Sequence, residues 1–390
     1  MPVAARRRAY HGLVAHPAEI DPASFERELR SGADLVVIDV RDAEAFCAWH
    51  IPVAGTSVVN VPEADLEAHA EAIAVPAGAV VRLICNAGNA SLRARALVAH
   101  LGDDVRSVHD GMIGWSRVLQ SDEVPLTGPV AVIQFRREAR GCLSYLVMAD
   151  GEALVVDPAP DVRPYLEAAA GRGVRIGRVL DTHVHADHVS GARELARRAG
   201  ATLHLSHAAL VRGVRYAVDV SGVGEGDALT LGREAVHVVA LPGHTTDMVG
   251  VRIGDEALIG GDSLFLDSVA RPDLEAGDDG SAMAARQLYR TLRERVLTLP
   301  ASMLLLPCHY GGGRLPGSLA RPLSEVRAAV PELDLDEDGF VNQVLGAMPP
   351  RPANYLAIIS VNLGEELDPD AVARLEVGAN NCAVKRAPVA

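Results

Sequence analysis

The sequence predicts an α/β protein built as two domains, and three observations carry that expectation. The chain has 390 residues, more than one hydrophobic core ordinarily serves. Its first third alternates short strand-like and helix-like patterns, as a largely parallel sheet requires. Four later apolar runs each close on histidine or aspartate, which sets polar chemistry at the ends of buried strands.

Taken in order, DLVVIDV (34–40) and VVRLIC (80–85) read as strands, and PEADLEAHAEAI (62–73) and ASLRARALVAHL (90–101) as helices. The polar, proline-containing QSDEVPLTGP (120–129) interrupts this alternation, so the domains are expected at residues 1–125 and 126–390. Three short strands follow, AVIQF (131–135), SYLVMA (144–149) and ALVVDP (153–158). The longer runs RVLDTH (178–183), VHVVALPGH (236–244), ALIGGD (257–262) and SMLLLPCH (302–309) are separated by helical segments, and no internal repeat is present.

Composition narrows the function classes. Apolar residues make up 49% and charged residues 23%, with no low-complexity tract, as in an ordered globular chain. No apolar run approaches the roughly 18 residues of a membrane span. The N-terminal MPVAARRRAYHG has arginines but no apolar segment of a secretory signal after them, so a cytoplasmic location is expected. Five scattered cysteines, Cys47, Cys85, Cys142, Cys308 and Cys382, read as reduced thiols. The net charge of −14 disfavours nucleic acid as a partner. A homo-oligomer is left open.

The four strand ends deliver His183, His185, Asp187 and His188, then His244, Asp262 and His309. Strand ends in layered α/β folds open onto one sheet edge, where remote residues converge on a rigid platform and can form a metal site. The HxHxDH order with LPGH, GGD and LPCH resembles the metallo-β-lactamase superfamily over about residues 130–310, which implies an αββα sandwich with metal at one edge. Two chemistries fit these residues. All seven groups could hold two zinc ions with Asp262 bridging, for a glyoxalase II-like thioester hydrolase. Two histidines and one carboxylate could instead form the facial triad of a non-haem Fe(II) oxygenase.

The segment DSLFLDSVARPDL (262–274) resembles the persulfide dioxygenase branch, with Ala270 in place of a glycine and Arg271 and Asp273 matching. That resemblance implies one Fe(II) per chain on His183, His244 and Asp262. It leaves His185, Asp187, His188 and His309 to orient ligands and water. Arg271 would hold an anionic part of the substrate or, paired with Asp273, shape the loop. GCLSYLV, VVDP and the tail MPPRPANYLAIISVNLG (348–364) resemble bacterial persulfide dioxygenases that occur joined to rhodanese modules. The proline-rich tail does not read as the helical thiol-binding region expected of glyoxalase II. Cys308, beside His309 on a strand, is expected to point the other way as a buried inert thiol.

In the first domain, RLICNAGNASLRARAL (82–97) sets Cys85 between a strand and a helix, where backbone N–H groups and the helix dipole favour thiolate. Gly88 permits the tight turn. The chemistry suggested is transfer of a sulfane sulfur through Cys85. Residues 17–120 resemble a rhodanese domain: VVIDVRDAEAF with Asp39 and Arg41, HIPVA (50–54), the Cys85–Ser91 loop and SVHDGMIGW (107–115). Asn86 and Ala90 stand where that pattern usually has arginines, which weakens stabilisation of an anionic donor. Cys47, in AEAFCAWH, is expected to be a core thiol.

The combined expectation is a parallel-sheet rhodanese-like domain followed by a metallo-β-lactamase sandwich. The substrates would be a small thiol persulfide and O2, the products sulfite and thiol, with sulfur transfer at Cys85. The alternatives are dizinc thioester hydrolysis and a first domain that binds sulfur-carrying partners without turnover.

Overall fold

The computed structural model describes residues 17–32, 34–51, 56–310, 317–378 and 381–384; the N-terminal arginines and Pro52–Ala54 of HIPVA lie outside them. Packing divides the chain into two units, Met1–Val118 and Leu119–Ala390. Among the described residues, no helix is long and apolar enough to cross a membrane.

The first unit holds β1 (Glu19–Ile20), β2 (Leu35–Asp39), β3 (Ser57–Asn60), β4 (Val80–Ile84) and β5 (Val105–Val108) in one sheet, ordered β1-β5-β4-β2-β3. Every pairing is parallel. The runs LVVID and VVRLI are buried almost throughout, as central parallel strands must be. Because β2 and β4 are neighbours with Asp39 opposite Ile84, the loops that leave them lie side by side. Cys85 is the first residue of one such loop, and Arg41 and Asp42 stand in the other. The helical stretches at 62–73 and 90–101 form as short α and 3-10 segments, with the second containing an α-helix only at Asn89–Ala94. Cys47 is exposed, which corrects the expected core thiol: none of its helix Ala43–Ala48 is buried, and the anchoring is done by Trp49 and Ile51 beyond it.

The second unit has two sheets. β6 (Gln120–Val124), β7 (Ala131–Arg137), β8 (Cys142–Ala149), β9 (Glu152–Val156), β10 (Arg175–Leu180), β11 (Thr202–Ser206) and β12 (Val220–Val223) form the first, antiparallel from β6 to β9 and parallel from β9 to β12. β13 (Ala228–Leu231), β14 (Glu234–Ala240), β15 (Val249–Ile253), β16 (Ala257–Gly261), β17 (Leu304–Pro307) and β18 (Arg321–Pro322) form the second. The polar stretch read as an interruption thus contains β6. Its side chains are mostly solvent-facing because it is an edge strand, and only Val124 is buried.

Strand alternation explains the layers. Val132, Val147, Leu154 and Val156 join one core with Val238, Val251 and Ile259 of the opposite sheet. Their chain neighbours Ile133, Leu146, Ala153 and Val155 join a second core with Tyr165 and Leu195 from helices outside the first sheet. Ala285, Leu288 and Phe340 cover the second sheet from outside, which completes an αββα sandwich. The tail differs from its reading as non-helical. Helices form at Tyr355–Asn362 and Pro369–Leu375, since Pro349, Pro350 and Pro352 precede the first and Pro369 sits in the opening turn of the second. Helical content in the tail therefore does not separate the two chemistries.

Candidate metal centre and thiol pocket

Four strands of the sandwich bring the sequence-predicted residues together. The loop after β10 carries His183, His185, Asp187 and His188; His244 follows β14, Asp262 follows β16 and His309 follows β17. Each of the seven is at most 3% exposed. Gly243 aims His244: its φ is +149°, and a Cβ there would lie 2.5 Å from Leu288 Cα, so only glycine lets the loop pass this close to a helix.

His183, His244 and Asp262 each offer a ligand atom within 4.8 Å of the others. His183 Nε2 and His244 Nε2 stand 4.0 Å and 3.7 Å from Asp262 Oδ2, and all three atoms are buried without a hydrogen-bond partner. Their far sides fix the tautomers. His244 Nδ1 donates to the Arg271 carbonyl at 2.6 Å, which leaves Nε2 as a lone pair. Thr182 Oγ1 donates to Asp157 at 3.0 Å, so its oxygen accepts from His183 Nδ1 at 2.9 Å, with the same result. Burial, then the nearby His185 and His244, hold the His183 pKa well below the usual histidine value, in keeping with a neutral ring. Two neutral nitrogens and a carboxylate oxygen facing one another without partners are a donor set that fits one divalent cation.

The other four residues are arranged differently. His185 Nε2 donates to Asp157 at 3.0 Å, and its buried Nδ1 has no partner. Asp187, His188 and His309 gather with Cys142 in a second buried group. There His309 spans two carboxylates, with Nδ1 2.6 Å from Asp262 and Nε2 2.7 Å from Asp187. Burial works against its charge, yet Asp187 and Asp262 raise the His309 pKa well above the ordinary range. Cys382 reaches the same place and hydrogen-bonds Asp262. Cys308 is buried, donates to Asp157 and has its pKa raised by burial.

Sequence reasoning missed Asp157, Cys142 and Cys382 as members of this centre. Asp157 closes the run ALVVD just as the other ligand-type residues close theirs, which was the available signal. It adopts φ +52° and accepts from Thr182, His185 and Cys308. Cys142 opens β8 within GCLSYLV, where nothing marks it as a ligand, and Cys382 lies outside every motif.

Arg271 is 1% exposed. Its guanidinium donates to Asp273 at 2.7 Å and 3.0 Å and to the carbonyls of Pro350 and Asn381. Asp273 also accepts from Arg351 at 2.6 Å. The tail is tied to the histidine loop as well: Asn362 Nδ2 donates to the carbonyls of His185 and His188, and its Oδ1 accepts from Ser190 N.

In the first unit, Cys85 is 5% exposed at a cleft of about 360 Å³ lined by Val40, Arg41, Asp42, Asn86, Asn89 and Arg93, among others. Ser91 Oγ lies 3.2 Å from Cys85 Sγ. Gly88 takes φ +81°, where a Cβ would meet Asp110 N at 2.9 Å. Arg41 sits 6% exposed, paired with the buried Asp39.

A family model for the metallo-beta-lactamase superfamily matches residues 137–309. A probable metallo-hydrolase of Burkholderia pseudomallei is 31% identical over 206 residues, covering 43% of this chain and 68% of that protein. The chain belongs to the metallo-beta-lactamase superfamily. This superfamily enzyme also carries a rhodanese-like domain, matched over residues 21–118. It is similar to the mitochondrial persulfide dioxygenase ETHE1 of Mus musculus, 25% identical over 249 residues, 61% of this chain and 89% of that one. Over 122 residues it is 39% identical to a hydroxyacylglutathione hydrolase of Acidiphilium cryptum, covering 31% and 49% of the two chains. The crystal structure of ETHE1 from Myxococcus xanthus superposes with a TM-score of 0.51 at 27% identity, covering 59% of this chain and 96% of that one.

Proposed function

We propose that the protein is a cytoplasmic persulfide dioxygenase that converts a small thiol persulfide, dioxygen and water to thiol, sulfite and two protons. One iron would be held by His183, His244 and Asp262. The observation that carries this reading is the convergence of three buried, unpartnered ligand atoms, two imidazole nitrogens and one carboxylate oxygen. Similarity to ETHE1 of Mus musculus supports it. Fe(II) in such a triad supplies dioxygen activation and leaves open positions for the sulfur substrate.

The chain's own residues contribute alignment. The Arg271 carbonyl keeps the His244 proton on Nδ1, and Asp157 through Thr182 does the same for His183. Arg271 and Asp273 act as a brace, because the guanidinium donors are spent on Asp273 and two tail carbonyls. Cys85 is the nucleophile of a sulfur-transfer step in the rhodanese-like domain.

A second reading, dizinc thioester hydrolysis, is supported by the group of Cys142, Asp187, His188 and His309, by the free Nδ1 of His185, and by the hydroxyacylglutathione hydrolase relative. Metal counting separates the two. After anaerobic loading with Fe(II), one metal per chain is expected, lost in His183→Ala and His244→Ala and kept in His188→Ala. Two tightly held metals per chain, the second lost in His188→Ala, would overturn the mononuclear reading.

A further inference from the structure

The cleft over Cys85 has an uneven distribution of charge. Among the described residues that line it, only Arg41 and Arg93 are basic. Arg41 is anchored: its Nε and Nη2 donate to both oxygens of Asp39, and Nη2 also reaches the Trp49 carbonyl at 2.6 Å. Its side chain is 4% exposed, so the guanidinium belongs to the floor of the fold and cannot turn to a ligand without leaving the buried Asp39 carboxylate unpaired. Next to the thiol stand Asn86, Ala87, Asn89 and Ala90, which are uncharged, and Asp42 adds a carboxylate.

Arg93 is the remaining cation, and it sits at the rim. Its side chain is 65% exposed and pairs with the half-exposed Glu63 at 3.0 Å and 3.1 Å. A surface pair of this kind is weak and exchanges partners readily. The cleft thus presents a neutral to acidic interior at the sulfur and a free-to-swing guanidinium at its mouth. Its volume of about 360 Å³ is far larger than an inorganic anion needs and falls in the range of small-molecule sites.

We infer that the Cys85 site takes its sulfur from an organic persulfide bearing a carboxylate remote from the sulfur, and discriminates against thiosulfate. This deepens, and rests on, the reading of Cys85 as a sulfur-transfer nucleophile. In the step, the Cys85 thiolate attacks the terminal sulfur of R–S–S–H. A Cys85 S–S bond forms, the internal S–S bond breaks, and the electron pair leaves as R–S⁻, which takes up a proton; no net oxidation occurs. The attacked sulfur carries at most one charge, so no guanidinium is needed beside it. The remote carboxylate replaces Glu63 on Arg93. Thiosulfate would bring two charges into an interior whose described residues offer one carboxylate and no free cation, and sulfite would leave as a dianion through the same space.

The test uses the full chain, anaerobic, with glutathione persulfide and thiosulfate as alternative donors. Loading of one sulfur on the Cys85 peptide is followed by mass spectrometry, and Cys85→Ser protein serves as the background. The expected result is loading by glutathione persulfide at least about 100-fold faster than by thiosulfate. Arg93→Gln should slow the persulfide reaction about fivefold, the effect of one exposed ion pair. Ala90→Arg, which supplies a cation at the thiol, should raise thiosulfate loading about tenfold or more. Thiosulfate loading as fast as persulfide loading in the wild-type chain would overturn the inference while leaving Cys85 a sulfur carrier. Loading by neither donor would overturn the sulfur-transfer reading and the inference with it.

Discussion

Asp157 is the hinge of the metal centre's alignment, because its two oxygens accept from the Thr182 amide and hydroxyl, from His185 Nε2 and from Cys308. Burial opposes its charge, but His185 and these donors lower its pKa below the ordinary aspartate value. Removing it would leave several buried donors unpaired and free the His183 and His185 rings to turn. Asp157→Ala should therefore weaken metal binding about 10- to 100-fold in competition with a chelator, with the triad itself intact. Unchanged affinity would show that the tautomers are set elsewhere. The seven ligand-type residues were legible because four apolar runs each end in one or more of them, a pattern chance does not repeat. Asp157 ends such a run too, yet one acidic residue before a proline names no partner. Cys142 and Cys382 were illegible, since what brings them to the centre is the packing of a strand start and a chain end.

Strand β11 carries a titrating group that the centre does not use. His204 is 7% exposed, and both its ring nitrogens are buried without partners. Burial, with Arg178 adding to it, lowers its pKa to about 4. The unfolded chain binds a proton at this ring near pH 6.5, whereas the folded one does so only near pH 4. Stability from this group is thus complete above about pH 6.5, falls as pH drops through that window, and levels off below about pH 4. The full loss across this window is about 3 kcal/mol. Urea midpoints of His204→Leu should fall less steeply than wild type between these limits, and parallel curves would contradict the assignment. The apolar strand runs, from DLVVIDV to SMLLLPCH, were read correctly, whereas the helices read at 62–73 and 90–101 form only as short α and 3-10 segments. β6 and the two tail helices were missed. An edge strand keeps polar side chains because only its backbone needs to pair, and a proline-rich segment reads as loop until its prolines fall at helix starts.

Across the second unit the tail works as a fastening for the histidine loop. Glu376, 4% exposed, accepts from Arg137 at 2.6 Å and from Val189 N at 2.6 Å, while its carbonyl accepts from Arg140. Breaking one partner of a buried pair costs about 3–5 kcal/mol, so Glu376→Ala should lower the unfolding free energy by that amount and loosen metal retention together. A variant with native stability would show the tail to be an ornament of the sandwich. The two-domain α/β plan was legible from length and alternation, and the αββα layering followed from the motif resemblance. The fastening was beyond reach, because Glu376 and Arg137 are 239 residues apart and only the closed fold joins them. Dioxygenase activity is read from oxygen consumption by anaerobically Fe(II)-loaded protein given glutathione persulfide, with sulfite assayed in the same vessel. A persulfide dioxygenase takes up oxygen with one sulfite formed per O2. Iron-loaded protein that consumes no oxygen with thiol persulfides, while the dizinc form hydrolyses acyl thioesters, would contradict that function.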